Sequence, residues 1–250
     1  WWQHTDRELP PARGEGVSDS YQIDRHLRAG TTWKKVGTNT VSKVQAVYLA
    51  EKLDFLSSID ELSQSTTRIF QFDAQQKYYF SKNWVAQGGL QHQWRSGVAE
   101  ALNGTEIQNR TALWAQLDKK SPYELWNISG QLRIEQVDGD LIPITGLVGG
   151  YWRLLPSLKW RIKSARVYNL PTFNDLFWSD GTGQGNPDLA PEEGWSHETG
   201  FDWSLNNWMV TTTIFSTELN NWILWLPNGN VWAPENKRSV WSRGLDTEVK

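Results

Sequence analysis

The sequence predicts an all-β fold, an antiparallel meander of about eleven long strands of the kind that crosses a bilayer as part of a barrel. Three observations carry this. Apolar and polar residues alternate with a period of two in segment after segment, which separates the two faces of a strand and would scramble both sets on a helix. Most segments run to ten residues or more, whereas soluble sheets use about 5–6 and a tilted bilayer-crossing strand needs about 9–11. Short and long connections then alternate along the chain, as where tight turns close one end of a membrane barrel and larger loops the other.

The elements follow in order. Residues 1–20 read as an opening loop, and alternating segments then fall at 22–36, 41–55, 67–80, 84–98, 105–118, 125–137, 144–154, 158–168, 195–205, 208–226 and 239–250. Two are especially clean. In 195–205, Trp195, His197, Thr199, Phe201, Trp203 and Leu205 oppose Ser196, Glu198, Gly200, Asp202 and Ser204. In 125–137, Trp126, Ile128, Gly130, Leu132 and Ile134 oppose Asn127, Ser129, Gln131, Arg133 and Glu135. Short connections fall at 37–40, 81–83, 119–122, 155–157 and 206–207, and longer ones at 56–66, 99–104, 138–143, 169–194 and 227–238. This places 1–20, 169–194 and 227–238 together at one end, the cell exterior in an outer-membrane barrel. Tyr168 and Trp195 then stand at the outer rim and Trp84 and Trp208 beside the opposite turns, where indole and phenol rings straddle hydrocarbon and water. Trp114 falls on the inward face.

Composition agrees. The 250 residues include 17 Trp against one Met and no Cys, a bias that suits an interfacial aromatic belt or a sugar-binding surface. A mean hydropathy of −0.59, with no run of 18 apolar residues, excludes a transmembrane helix but not a barrel, whose lumen face is polar. A net charge of −3 with dispersed Lys and Arg gives no reason to expect nucleic acid. Lack of Cys removes disulfides and thiolate metal sites. The chain opens Trp1-Trp2-Gln3 without an export signal, and eleven strands would leave two edges unpaired in lipid, so it reads as a fragment.

The most specific wording lies at 166–203, RVYNLPTFNDLFWSDGTGQGNPDLAPEEGWSHETGFDW. Pro171-Thr172-Phe173-Asn174-Asp175-Leu176-Phe177-Trp178, then Gly185-Asn186-Pro187-Asp188-Leu189-Ala190-Pro191-Glu192, then Trp195 to Glu198 resemble TonB-dependent outer-membrane receptors, above all the cobalamin and siderophore branch. Phe177 stands where those receptors usually carry Tyr. The ending 239–250, SVWSRGLDTEVK, is similar to the same family's next strand. The resemblance implies a 22-stranded transmembrane barrel with an N-terminal plug, here represented by about strands six to sixteen with the plug absent, in the bacterial outer membrane. It implies uptake of a scarce ligand, a metal chelate such as a siderophore or a corrinoid, driven by the TonB energy-transducing complex acting through the missing plug region. Outer-membrane lipid is the other expected partner.

Candidate sites divide between structure and recognition. Pro171, Pro187 and Pro191 preset the backbone, and Asn174, Asp175 and Asn186 can bond nearby peptide groups, so the motif reads mainly as a loop built to hold one shape. Glu192 is expected to accept hydrogen bonds where the strand resumes. Outer-loop residues able to touch a ligand are Phe177, Trp178, Asp180 and Trp232. No catalytic constellation, metal site or cofactor is expected. His4, His26, His92 and His197 lack metal-ligand spacing, and 181–185 (GTGQG) lacks the Lys-Ser/Thr of a phosphate loop. Neither 138–140 nor 175–180 has calcium-loop spacing, Glu192-Glu193 lacks a pocket partner, and Asn103, Asn109 and Asn127 match glycosylation acceptors by chance. The alternatives to an energy-coupled importer are a passive porin, in which a strand rather than a plug would precede residue 1, and a secreted carbohydrate-binding module using Trp as sugar platforms.

Overall fold

The computed structural model describes residues 1–10, 20–56, 62–102 and 104–250. They form one antiparallel sheet. Its strands are β1 (Trp2–Glu8), β2 (Tyr21–Val36), β3 (Thr40–Leu56), β4 (Leu62–Tyr79), β5 (Trp84–Ala99), β6 (Gly104–Lys120), β7 (Trp126–Val137), β8 (Asp140–Leu141), β9 (Thr145–Leu155), β10 (Leu158–Asn169), β11 (Glu192–Leu205), β12 (Trp208–Asn228) and β13 (Val231–Val249). Each long strand pairs with its sequence neighbour, and only the two-residue β8 lies off the path, paired with β7. This is the expected meander, with strand ends moved by up to a few residues.

The register lines one face with apolar side chains. A single row crosses six strands as Ile128, Gly150, Ile162, Thr199, Ile214 and Leu245. Ile214 and Leu245 are 57% and 66% exposed, so these side chains have no covering layer within the chain. Among the described residues, buried hydrophobic side chains are correspondingly few, Leu102, Ala112, Val137 and Leu189 beside Pro171 and Pro234. An apolar face this continuous is costly in water and favourable against lipid.

The opposite face is laced by polar contacts. Gln91 donates to Asp73 Oδ1 at 2.8 Å, Arg133 to Gln91 Oε1 at 2.7 Å and Gln93 to Gln71 Oε1 at 3.1 Å. Farther along, Arg161 donates to Asp202 at 2.8 Å and Lys159 pairs with the same carboxylate at 2.7 Å. Trp114 belongs to this face, over Gly89, where an added Cβ would lie 2.6 Å from the Ala74 carbonyl oxygen and 3.0 Å from the indole nitrogen. Glycine there is a packing requirement.

Three expectations are corrected. The opening segment is not all loop: Trp2–Glu8 pairs with β2 from Trp2↔Leu27 to Glu8↔Tyr21, held by the backbone ladder and an Arg7–Asp24 ion pair of 3.1 Å. Residues 11–19 lie outside the described residues. The connection 227–238 is not a long loop either, because β12 runs to Asn228 and β13 starts at Val231, pairing Trp225↔Pro234 and Asn228↔Val231 around a turn with Gly229 at φ +62°. Pro227, Pro234 and Asn-Gly punctuate that stretch as a loop would, yet the β12–β13 pairing runs through both prolines, as Pro227↔Trp232 and Trp225↔Pro234. Connection 56–66 is shorter than expected, since β4 begins at Leu62; residues 57–61 lie outside the described set, as does Asn103.

Candidate functional site

Between β10 and β11, the chain leaves the sheet for residues 170–191 and returns, and its motif residues account for how that excursion is held. Pro171 is buried and leads into a single helical turn, α1 (Phe173–Phe177). Thr172 caps that turn: its hydroxyl oxygen accepts from the Asp175 N–H at 3.2 Å, while Asp175 Oδ2 accepts from the Thr172 N–H at 2.8 Å and from its hydroxyl at 2.7 Å. This is a reciprocal capping box, satisfying donors that a helix start leaves free. Its Thr-x-x-Asp spacing is visible in the sequence, a signal that could have located α1. The other carboxylate oxygen of Asp175 accepts from the Trp225 indole N–H at 2.9 Å, fastening the turn to β12.

The glycines and asparagines of the motif serve close approach and local bonding. A Cβ on Gly185 would lie 2.8 Å from the backbone of Leu176, Phe177 and Trp178, so only glycine lets the second half of the loop fold onto the first. Gly185 N–H donates to Trp178 O at 2.6 Å and Asn186 N–H to Asp175 O at 2.8 Å. Asn186 Oδ1 accepts from the Asp188 N–H at 3.0 Å, a local Asx turn. Pro187 and Asp188 are exposed, Pro191 is half-buried, and Leu189 is buried at 7% exposure. Glu192 accepts from the Ile223 N–H at 2.9 Å and from Asn169 Nδ2 at 3.0 Å, joining both ends of the loop to β12.

Long-range contacts anchor the loop on both sides. Asn236 of β13 donates to the Ala190 and Asn221 carbonyls at 2.8 and 2.7 Å and accepts from the Ala190 N–H at 2.8 Å. The Trp232 backbone donates to Thr182 O and accepts from the Gln184 N–H, each at 2.8 Å. On the far side, Ser179 N–H donates to Ala101 O at 2.6 Å. The Phe173 ring packs over Gly97, where a Cβ would sit 2.8 Å away, and under the Arg95 guanidinium at 5.2 Å. The loop thus reaches from β5 to the β12–β13 hairpin across the loop end of the polar face.

The four expected contact residues are gathered here but differ in availability. Trp178 is half-buried, its ring with that of Trp225 flanking Gly183. Phe177 is half-buried, with its ring centre 6.4 Å from that of Phe173. Asp180 is exposed, but one carboxylate oxygen accepts from the Thr182 N–H and hydroxyl at 2.9 Å and from the Gly183 N–H at 2.7 Å. Partial desolvation raises the Asp180 carboxyl, and these hydrogen bonds together outweigh it, holding it below its ordinary value. Trp232 keeps 53% of its surface exposed and presents the freest aromatic face.

The sequence reading of scattered basic residues misses a convergence. Arg110 and Arg133 donate to the two oxygens of the 4% exposed Glu135, at 2.5 and 2.9 Å, and with Arg166 and Tyr168 they line a cleft of about 450 Å³. Arg95, whose buried Nε has no hydrogen-bond partner among the described residues, adds a further cation. Trp225 and Asn236 are missed for the same reason: their partners stand 50 and 46 residues away.

The description "TonB dependent receptor-like, beta-barrel" fits residues 2–250 as a family model. The vitamin B12 transporter BtuB of Photobacterium profundum is 27% identical over 128 residues, 48% of this chain and 20% of that protein. Of solved structures, the siderophore receptor PirA from Pseudomonas aeruginosa superposes with a TM-score of 0.81 at 14% identity, covering 91% of this chain and 47% of that one. The Serratia marcescens hemophore receptor HasR, solved as a double mutant with its hemophore HasA and heme, gives a TM-score of 0.81 at 13% identity, covering 92% and 46%. The chain therefore spans about half the length of these receptor structures and a smaller share of the vitamin B12 transporter, and the structural likeness shows the shared barrel fold.

Proposed function

Because the chain belongs to the TonB-dependent receptor family, whose members are outer-membrane barrels and not enzymes, we propose that it is the central wall of a ligand importer. In this reading β2 to β13, without the short β8, are about strands six to sixteen of a 22-stranded barrel, and β1 is the strand before them. The loop end faces the cell exterior, with 170–191 as an extracellular loop, its bounds drawn in from the expected 169–194 because Asn169 and Glu192 to Gly194 are paired in the sheet. The full receptor takes up a scarce ligand, siderophore-bound iron or a cobalamin-like corrinoid, with energy delivered by the TonB complex through a plug held inside the barrel.

The observation that carries this reading is the loop itself. Its motif residues, Pro171 to Leu176 and Gly185 to Glu192, are consumed in holding one shape, and that shape gathers Phe177 and Trp178 with the exposed Trp232 of β13 at the loop end of the barrel wall, which also carries a cleft lined by Arg110, Arg133 and Arg166. Aromatic surface and basic side chains at one end of a barrel wall suit a ligand that is both flat and anionic, as many metal chelates are. The relatives compared are named for vitamin B12 and for siderophores, which supports both ligand classes. Deleting the gene for the full-length receptor should abolish accumulation of labelled ferric siderophore or of labelled cyanocobalamin, with restoration by the intact gene only in cells with a working TonB complex. Uptake that persists without TonB would indicate a passive porin.

A further inference from the structure

On the apolar face, the register places a charged cluster immediately beyond an aromatic row. That row runs Trp94, Phe70, Tyr48 and Ala29 across β5, β4, β3 and β2. Two residues nearer the loop end stand Arg68, Ala50, Leu27 and Trp2, and two residues beyond them Thr66, Lys52, Arg25 and His4. Each step of two residues is roughly 6–7 Å along a strand, and neighbouring strands lie about 4.8 Å apart. Three cations therefore share a small area around the methyl of Ala50, where the surface dips into a depression of about 250 Å³.

Their surroundings keep them there. Asp54 pairs with Arg25 and, at 3.1 Å, with Lys52, so one carboxylate fixes two cations and neutralises one. Arg68 is exposed and has no ion-pair partner among the described residues. Such a cluster on a lumen face would be unremarked, but this is the face of Phe70, Leu90, Leu113 and Ile214. Aromatic rings mark where hydrocarbon gives way to headgroups, and cations just beyond that boundary meet the layer where lipid phosphates lie.

We propose that Arg25, Lys52 and Arg68 bind the phosphate of an anionic membrane lipid in the leaflet at the loop end, with Trp2 and Leu27 along its acyl–headgroup boundary. Arg25, held by Asp54, positions the site, and the unpaired Arg68 supplies the free charge. The complementarity is electrostatic: three cations, set against Asp54 and the Glu51 that also lines the depression, surround a small-residue floor and leave a net positive charge for a phosphate. An apolar partner protein would leave all three cations desolvated.

The full-length receptor, purified in mild detergent, should retain a phosphorylated glycolipid such as lipid A in native mass spectrometry, and fluorescent lipid A should bind it saturably. Lys52→Gln with Arg68→Gln should weaken that binding about tenfold, from roughly a fewfold loss per cation near an anionic surface. Lys43→Gln, on the lumen face, should leave it unchanged, and heat-modifiable gel mobility reports that each variant is folded. Arg68→Gln alone should give part of the loss, and serves if the double variant fails to fold. Equal binding by wild type and either cluster variant would overturn the proposal. So would displacement of lipid A by inorganic phosphate at equal concentration, which would assign the site to a free anion, or equal retention of neutral phosphatidylcholine.

Discussion

Asp175 is the residue on which the loop turns, since its carboxylate accepts two bonds from Thr172 and one from Trp225. Removing it leaves the exposed Thr172 N–H to water and strands the half-buried Trp225 indole N–H, and an unsatisfied buried donor costs about 1–3 kcal/mol. Asp175→Ala should therefore lower protection of the 172–190 amides in hydrogen exchange by about 2 kcal/mol, leaving the strand ladder nearly unchanged, because no ladder bond uses that side chain. Asp175→Asn keeps one acceptor and should lose less. Asp180 adds a pH dependence. Its carboxyl is held below its ordinary value, so the stability it lends the 180–183 turn is present at and above the ordinary carboxylate range and is lost as pH falls through the lower folded value. Protection factors for the Thr182 and Gly183 amides, normalised to intrinsic exchange, should fall on acidification in the wild type and stay flat in Asp180→Asn, whose neutral side chain has no proton to take up.

At the scale of elements, the β12–β13 hairpin does more than complete the sheet, because it carries one wall of the loop through Trp225, Trp232 and Asn236. Asn236→Ala deletes three hydrogen bonds that tie Ala190 and Asn221 to β13. At about 0.5–1.5 kcal/mol each, their loss should speed protease cleavage within 186–191 by at least about tenfold while heat-modifiable mobility stays native. Why these links escaped the sequence follows from what a sequence displays. Membrane-crossing strands such as β7 and β9 were legible to within a residue or so, because one face must be apolar for its whole length. β1 carries polar side chains on both faces after Trp2, so period-two patterning had nothing to register. The hairpin tip was hidden for the opposite reason, since Pro227, Asn228, Gly229 and Pro234 are ordinary loop punctuation that pairing overrides. The loop motif announced that a shape was held, while its Thr-x-x-Asp spacing carried a cap that the sequence reading did not take up. Nothing local could say that Trp225 and Asn236 hold it, or that Arg110 and Arg133 meet on Glu135, because those meetings are set by register across strands.

For the molecule as a whole, the two faces make opposite demands, and neighbouring residues on one strand can test them. Leu132 and Gln131 are adjacent in the middle of β7. Leu132 lies on the apolar face at 63% exposure, facing Ala115 and Gly146. Gln131 lies on the polar face between Gln116 and Leu147. In a lipid-embedded barrel, an Arg on the lipid face near the bilayer centre costs about 2–4 kcal/mol, because its charge must leave water or drag water and headgroups inward. The same Arg on the lumen face stays hydrated and joins a surface already threaded with Arg133, Gln116 and Asp118. Leu132→Arg in the full-length receptor should thus shift the denaturant midpoint of folding in phospholipid vesicles by about that cost, while Gln131→Arg shifts it by less than about 1 kcal/mol. Were this face covered by protein in a soluble assembly, Leu132→Arg would be costly in detergent-free buffer as well. Were it exposed to water, both substitutions would be silent. A large cost for Leu132→Arg that appears only in the bilayer, beside a silent Gln131→Arg, is the outcome that the exposed apolar rows of this sheet require.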